Sequence, residues 1–305
     1  MLIYAVKRFG IAILVALTVS VLSFSMMYLS GDPAIALAGE GASQEDIENV
    51  RRVYGFNRPI IFQYVDWLLN ALGGDLGHSN YLKSDVASVI FERLPTTMIL
   101  GACALGFALV LSIPLGVLAA IRPNSLIDRI ALTIAVVGQA MPSFWFALTL
   151  ILWFSITWRL LPITGTGSWL NFIMPSIALG YYVTPAVMRL TRAGMMEVLS
   201  SDYIRTARAK GLRPMTVLFK HALRNAIIPV VSLAAVQFGF MLGGSIVIET
   251  IFAINGLGFL AWESILRADL PMMQAIVLVL SVFYIVLTFL ADMLNAFLDP
   301  RIRVS

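Results

Sequence analysis

Phe9–Gly31 carries no charged side chain, and the same holds for Leu94–Ile121, Ile130–Trp158, Phe172–Met188, Asn225–Ile248 and Leu270–Ala291. Uncharged runs of this length constrain the chain more than any other feature, because about 20 apolar residues wound as a helix cross the hydrocarbon of a bilayer. Only 12% of the residues are charged and 59% are hydrophobic, whereas about a quarter of a soluble domain is charged. The chain therefore reads as an all-α integral membrane protein with six spans. Proline marks where those spans should be irregular: Pro95 stands at the start of the second, Pro114 kinks it, Pro142 breaks the third, and the fourth contains Pro175 and Pro185. A helix-interior proline forfeits a backbone hydrogen bond, and its ring crowds the preceding turn.

The first span follows Lys7-Arg8 and precedes Ala36-Leu37-Ala38, which has the small-residue pattern of a signal cleavage site. Its apolar stretch exceeds the roughly 7 to 15 residues of a signal core, so an uncleaved anchor is expected. Asp32 to Arg93 is the longest polar segment and is acidic, with nine Asp or Glu against five Lys or Arg. Ser43 and Asp46 have capping-box spacing, and Ile47, Val50 and Tyr54 share one helical face. Gly55 and Pro59 end this helix, Ile60 to Leu72 forms a second around Trp67, and Gly73-Gly74-Asp75-Leu76-Gly77 is a turn. The expected organisation is a first span within 1–31, a helical extracytoplasmic cap over 32–93, and a core over 94–305 that contains a cytosolic loop, 189–225.

That loop gathers Arg189, Arg192, Arg205, Arg208, Lys210, Arg213, Lys220 and Arg224 against only Glu197 and Asp202. Together with Lys7, Arg8, Arg122, Arg129, Arg301 and Arg303, it gives one side of the membrane twice as many Lys and Arg as the other. Basic residues concentrate on the cytosolic side, so both termini are expected there. The net charge of +4 reflects this orientation and does not point to nucleic acid. Cys103, the single cysteine, lies in an apolar run, and His78 and His221 fall on opposite sides of the expected membrane; no metal site and no catalytic pair is expected.

Within the loop, Asp202 to Lys210 reads as a short helix. Ser201 is placed to cap it, Asp202 and the later Arg205, Arg208 and Lys210 suit its dipole, and Gly211 with Pro214 stops it. About two turns is too short to persist alone in water, so the helix is held by its own chain or docked on a partner. A solvated basic loop is the simpler reading. The order of features favours a docking element: a capped helix, Ala207 and Ala209 permitting close approach, Gly211, then Ile227-Ile228-Pro229 returning to the membrane.

Asp202-Tyr203-Ile204-Arg205-Thr206-Ala207-Arg208-Ala209-Lys210-Gly211 and Lys220-His221-Ala222-Leu223-Arg224-Asn225-Ala226-Ile227-Ile228-Pro229 resemble the cytosolic EAA-type loop of permease subunits in ATP-binding-cassette (ABC) importers, specifically the dipeptide, oligopeptide and nickel branch. Lys7-Arg8, Gly31-Asp32-Pro33, Gly74-Asp75-Leu76-Gly77, Leu94-Pro95-Thr96-Thr97 and Asp299-Pro300-Arg301 fit the same branch, so the likeness covers essentially the whole chain. The Glu-Ala-Ala triplet that names the loop is Arg205-Thr206-Ala207 here, without the acid.

The resemblance implies that Asp202, Tyr203, Arg205, Thr206, Ala207, Arg208, Ala209, Lys210 and Gly211 couple the chain to a cytosolic ATPase. It implies a second related permease, two ATPase subunits and a periplasmic solute-binding protein as partners in a bacterial inner membrane. It also implies import of peptides by alternating access, while close relatives carry nickel chelates, glutathione-like compounds or oligosaccharides. ATP and Mg²⁺ would belong to the partners: Lys7, Lys83, Lys210 and Lys220 follow Val6, Leu82, Ala209 and Phe219, and none follows the glycine that a phosphate-binding loop requires.

Other chemistries fit less well. Ser245 follows two glycines, yet no histidine or lysine lies within a span to activate it as a hydrolase nucleophile. Ion-coupled carriers keep ionisable residues near the midplane, whereas Glu249 and Asp292 stand near span ends. A stand-alone channel or secondary carrier accounts for six spans but not for the ordered loop, and a scaffold would not need kinked spans. Gln237, Met141, Phe144 and Met241 are the candidates for a translocation path. Gln237 could instead bond a neighbouring helix, and the other three could be packing. Gly239 and Gly243 form a G-x-x-x-G pattern that could pack within the subunit or against another.

Overall fold

The computed structural model describes residues 2–29, 31–39, 41–79 and 81–298. The Asp299-Pro300-Arg301 motif and Arg303 lie outside them. The described residues are helical, with one isolated bridge between His78 and Asp85. Helix α1 (Leu2–Leu29) leads to three short helices, α2 (Pro33–Ala38), α3 (Gln44–Val53) and α4 (Ile60–Leu72), and then to α5 (Val86–Ile121). A bent pair follows, α6 (Leu126–Ala140) and α7 (Ser143–Leu150), the latter prolonged by π-helix over Ile151–Thr157; a second pair is α8 (Leu170–Gly180) and α9 (Thr184–Leu199). After α10 (Asp202–Ala209) come α11 (Pro214–Thr216), π-helix over Val217–Leu223, α12 (Arg224–Ala226), α13 (Ile228–Ile251), α14 (Leu257–Leu266) and α15 (Leu270–Leu298). Helices α1, α5, α13 and α15 are each long and apolar enough to cross a membrane, and counting each bent pair as one span gives six.

The prolines act as their chemistry requires, though not always where the sequence placed the break. Helices α6 and α7 bend by 101° at Met141-Pro142, and α8 and α9 bend by 63° across Tyr181–Val183. Pro185 does not lie in the second bend but directly after it. It sits in the first turn of α9, where a missing N–H costs nothing, and α9 runs on to Leu199. Pro95 does not open its span either: α5 starts at Val86, where the Asp85 carboxylate accepts the Ser88 amide at 2.8 Å, so Pro95 lies inside the helix. The expected boundary at Arg93 therefore falls within α5. The uncharged run that ends at Ile248 continues as helix to Ile251, and Leu257–Leu266 forms α14.

The cap helices form as their punctuation requires. The Ser43 hydroxyl accepts the Asp46 amide at 3.2 Å, and the Asp46 carboxylate accepts the Ser43 amide at 3.2 Å. The Ser43 hydroxyl, 2.6 Å from the Asp46 carboxylate, and then the Ser43 amide hold the Asp46 carboxyl below the usual carboxylate range. Helix α4 docks on α1 through Phe24 against Tyr64 and Trp67, and through a 2.7 Å bond between the Ser20 and Tyr64 hydroxyls. In turn α1 is tied to α15: the Ser23 hydroxyl donates to the Gln274 carbonyl at 2.8 Å, and Arg8 pairs with Asp292 at 3.2 Å.

The core centres on α5. Leu100, Ala104 and Ala108 are buried with Met174, Ala178, Val183, Val187, Met241 and Ile248 from α8, α9 and α13. Small residues allow this contact: a Cβ on Gly116 would stand 2.8 Å from the Met188 carbonyl oxygen. Gly239 packs within the chain, since a Cβ there would meet Tyr284 of α15 at 2.6 Å, whereas Gly243 has no atom within 4 Å of that position. Val86 bonds back to Gly77 at the cap end of α5, while Val117 and Ala120 near its other end pack against α10. A 36-residue helix is about 54 Å long, more than the ~30 Å hydrocarbon layer. Cap and α10 thus sit a full span apart.

One buried cluster joins α5, α13 and α14. Glu249 Oε1 accepts the hydroxyls of Thr97 and Ser245, both at 2.8 Å, and its Oε2 accepts the Phe259 amide at 2.9 Å. Thr97 Oγ1 accepts the Leu257 amide at 2.8 Å. Glu249 and Thr97 are both 0% exposed, so loss of the carboxyl group would orphan donors that no water reaches. Glu249→Ala should cost about 2–5 kcal/mol. Asp292→Ala, which breaks a partly solvated pair, should cost less than about 1 kcal/mol. Thermal unfolding in detergent ranks the two, and equal shifts would contradict the assignment.

Candidate coupling helix and solute path

Ile204 and Ala207 stand three residues apart on α10 and turn inward against Val117, Ala120, Met195, Val217, Ala222 and Ala226. Ile204 is fully buried, which contributes about 1.5–3 kcal/mol. The Asn225 side-chain amide donates to the Tyr203 hydroxyl at 2.8 Å. A helix too short to persist in water is therefore held by its own chain. Ala207 belongs to that anchor, while Asp202, Tyr203, Arg205, Thr206, Arg208, Ala209, Lys210 and Gly211 are exposed.

Two details differ from expectation. Ser201 occupies the N-cap position, but its hydroxyl donates to the Val198 carbonyl at 2.6 Å, alongside the Ser201 amide at 3.1 Å, and does not cap α10. The ion pair Arg205–Asp202 spans 3.3 Å between side chains that are 78% and 93% exposed, so it fixes little. Gly211 has φ +75° and closes the helix, its amide bonding the Arg208 carbonyl at 2.9 Å. An L-residue there would meet left-handed strain of about 1–2 kcal/mol. Beside the exposed basic groups, Tyr203, Leu212, Met215 and Phe219 are exposed as well, so the face presented is both cationic and apolar.

The candidate path residues are only partly brought together. A cavity of about 420 Å³ is lined by Met141, Pro142 and Ser143 at one bend, Tyr182 and Val183 at the other, and Met241 and Gly244 on α13. Met141 and Met241 meet there. Gln237 and Phe144 do not line it, and the amide that does is Gln139, three residues before Pro142.

Three contacts near this cavity and the basic loop were not legible as partners in the sequence. Arg192 Nε and Nη2 donate to Asp128 Oδ1 and Oδ2, both at 2.7 Å. The Tyr181 hydroxyl donates to the Met141 carbonyl at 2.6 Å. Asp128 accepts the Asn124 amide at 2.8 Å. Nothing in the sequence named Arg192 as the partner of Asp128, or Tyr181 as that of the Met141 carbonyl.

Residues 112–304 match the family described as the binding-protein-dependent transport system inner membrane component, and residues 1–101 match the N-terminal part of such membrane components. The chain belongs to this family of ABC importer permeases. The glutathione transport system permease protein GsiC of Pectobacterium atrosepticum is 42% identical over 304 residues, covering 99% of each chain. GsiC of Escherichia coli strain K12 is 41% identical over the same length. These likenesses agree with the dipeptide, oligopeptide and nickel branch, and permease subunits of this family are non-catalytic. Among solved structures, an inward-facing MetNI methionine ABC transporter aligns with a TM-score of 0.58 at 18% identity, over 69% of this chain and 96% of that chain. An amino acid ABC transporter solved with histidines aligns at 0.50 and 18%, over 70% and 94%. These two establish a shared fold.

Because Ile204 anchors α10, Ile204→Ala should remove about 2–5 kcal/mol of local packing and raise tryptic cleavage within 202–213 severalfold. Thr206→Ala, on the exposed face, should leave the cleavage rate unchanged. Limited proteolysis of membrane vesicles checks this, and equal rates would mean that α10 is not held by Ile204.

Proposed function

We propose that this permease imports peptides or peptide-like solutes, glutathione among them, and that α10 receives the driving motion from separate ATPase subunits. The observation that carries the reading is the division of α10 into two faces. Ile204 and Ala207 are buried in one cluster with residues of α5, α9 and the π-helix over Val217–Leu223, while Tyr203, Arg205, Thr206, Arg208, Ala209 and Lys210 are left for a partner. A helix rigidly joined to the spans on one side and open on the other transmits force; a merely solvated loop would not need the anchor.

In this reading two ATPase subunits bind ATP and Mg²⁺ and dock at the basic end, a second related permease completes the path, and a periplasmic solute-binding protein delivers solute at the cap end. Both termini lie in the cytosol and the membrane is the bacterial inner membrane. Closure of the ATPases would favour an outward-open state, and hydrolysis would reset it, an equilibrium biased by differential binding to two conformations. The cavity between Met141 and Met241 supplies a mostly apolar wall, which suits peptide side chains. Whole-length likeness to GsiC supports a peptide-like solute.

Purification through a C-terminal tag should recover a second permease and ATPase subunits, with ATP hydrolysis in the eluate that rises when binding protein loaded with glutathione or short peptides is added. Recovery of the chain alone, without hydrolysis, would instead favour a stand-alone carrier. Gly211→Val should leave the subunit in the membrane while lowering the solute-stimulated part of hydrolysis at least about fivefold, given left-handed strain at the end of α10. Unchanged stimulation would remove Gly211 from the mechanism.

A further inference from the structure

We propose that Tyr181 is a positioning residue which makes the cavity wall at Met141–Pro142 move with α9, and through α9 with α10. The inference rests on the coupling role given above to α10. Its starting point is that the two bends of the molecule lie against each other. Helix α6 ends at Ala140, and Met141 is extended with φ −81° and ψ 132°, so its carbonyl has left the helical ladder. Within a bilayer an unsatisfied backbone group costs several kcal/mol. Tyr181, itself at the bend between α8 and α9, fills that vacancy with its hydroxyl at 2.6 Å. Its ring packs on Phe146 of α7 with centroids 4.5 Å apart, and the residue is 7% exposed.

A second fastening lies about three turns further along α9, where Arg192 grips Asp128 in the first turn of α6 through two 2.7 Å bonds. Two-pronged guanidinium–carboxylate bonding fixes orientation as well as distance. Helix α6 is thus tied to α9 in its first turn and, just past its last, to Tyr181, which caps α8 where the chain turns into α9. Met195, further along α9, is buried in the same cluster as Ile204 of α10, so a displacement of α10 is passed to α9 and its ties. The cavity takes Met141, Pro142 and Ser143 from one bend and Tyr182 and Val183 from the other. The tie between Tyr181 and Met141 makes these two walls a single part.

The test uses the purified complex in proteoliposomes, with Cys103→Ala and Ser143→Cys introduced so that a maleimide reports on the cavity wall. With Tyr181 present, trapping with ATP and vanadate should change the labelling rate at least about threefold relative to the nucleotide-free complex. In Tyr181→Phe, which keeps the ring and removes only the hydroxyl, that nucleotide dependence should fall below half while ATP hydrolysis continues. Arg192→Lys, which keeps the charge but not the two-pronged geometry, should weaken it in the same direction and serves if Tyr181→Phe fails to assemble. A labelling rate that ignores nucleotide with Tyr181 in place, or a dependence that survives both substitutions, overturns the inference. Absence of ATP hydrolysis from the complex instead overturns the coupling reading on which it rests.

Discussion

A backbone that leaves its helical ladder inside hydrocarbon has to find another partner, and that requirement governs how this chain can be bent. The break at Pro142 frees the Met141 carbonyl, and the Tyr181 hydroxyl receives it at 2.6 Å. The break between α8 and α9 is kept short by Thr184, whose hydroxyl donates to the Gly180 carbonyl at 3.1 Å, and by Pro185, which starts α9 without needing an acceptor. Irregular backbone at membrane depth is tolerated where it lines a cavity. Here the two irregular points line the same one.

The polar side chains obey the same economy of partners. Glu249 would be prohibitive as a lone buried group, yet two hydroxyls and a backbone amide meet its oxygens. Those donors come from α5, α13 itself and the start of α14, so the cluster specifies how three helices meet. Asp128 is 2% exposed and is met by Arg192 and the Asn124 amide. Apolar packing gives α5 its neighbours but is indifferent to small slides along it; hydrogen-bonded groups with fixed directions remove that freedom.

Long-range partners separate what was legible in the sequence from what was not. The long uncharged runs located the spans, and local punctuation located α3 and α4: Ser43 with Asp46 begins one, and Pro59 and Gly73 bracket the other. The short helix after Asp202 was legible for the same reason, and Gly211 indeed takes the left-handed conformation. Where two local signals competed, contacts distant in sequence or one turn away decided. Ser201 turned to Val198, α5 began at Val86 and not at Pro95, and α14 starts at Leu257, whose amide is received by Thr97, 160 positions earlier in the chain. In the candidate path, Met141 and Met241 met while Gln237 and Phe144 did not, since residue type alone does not say which side of a bent helix faces inward.

The placement of ionisable groups bears on how such a permease is driven. Arg8–Asp292 and Asp128–Arg192 pair with each other, and Glu249 is occupied by neutral donors, so none of these carboxyl groups is left open to a coupling ion. Such groups hold helices in register. An ion-driven carrier needs a site near the midplane whose occupancy distinguishes two conformations. A machine driven from outside the membrane needs instead a rigid lever and walls that follow it. In the proposed reading α10 is that lever, and the ties from Arg192 and Tyr181 to α6 join it to the cavity formed where both bent spans meet.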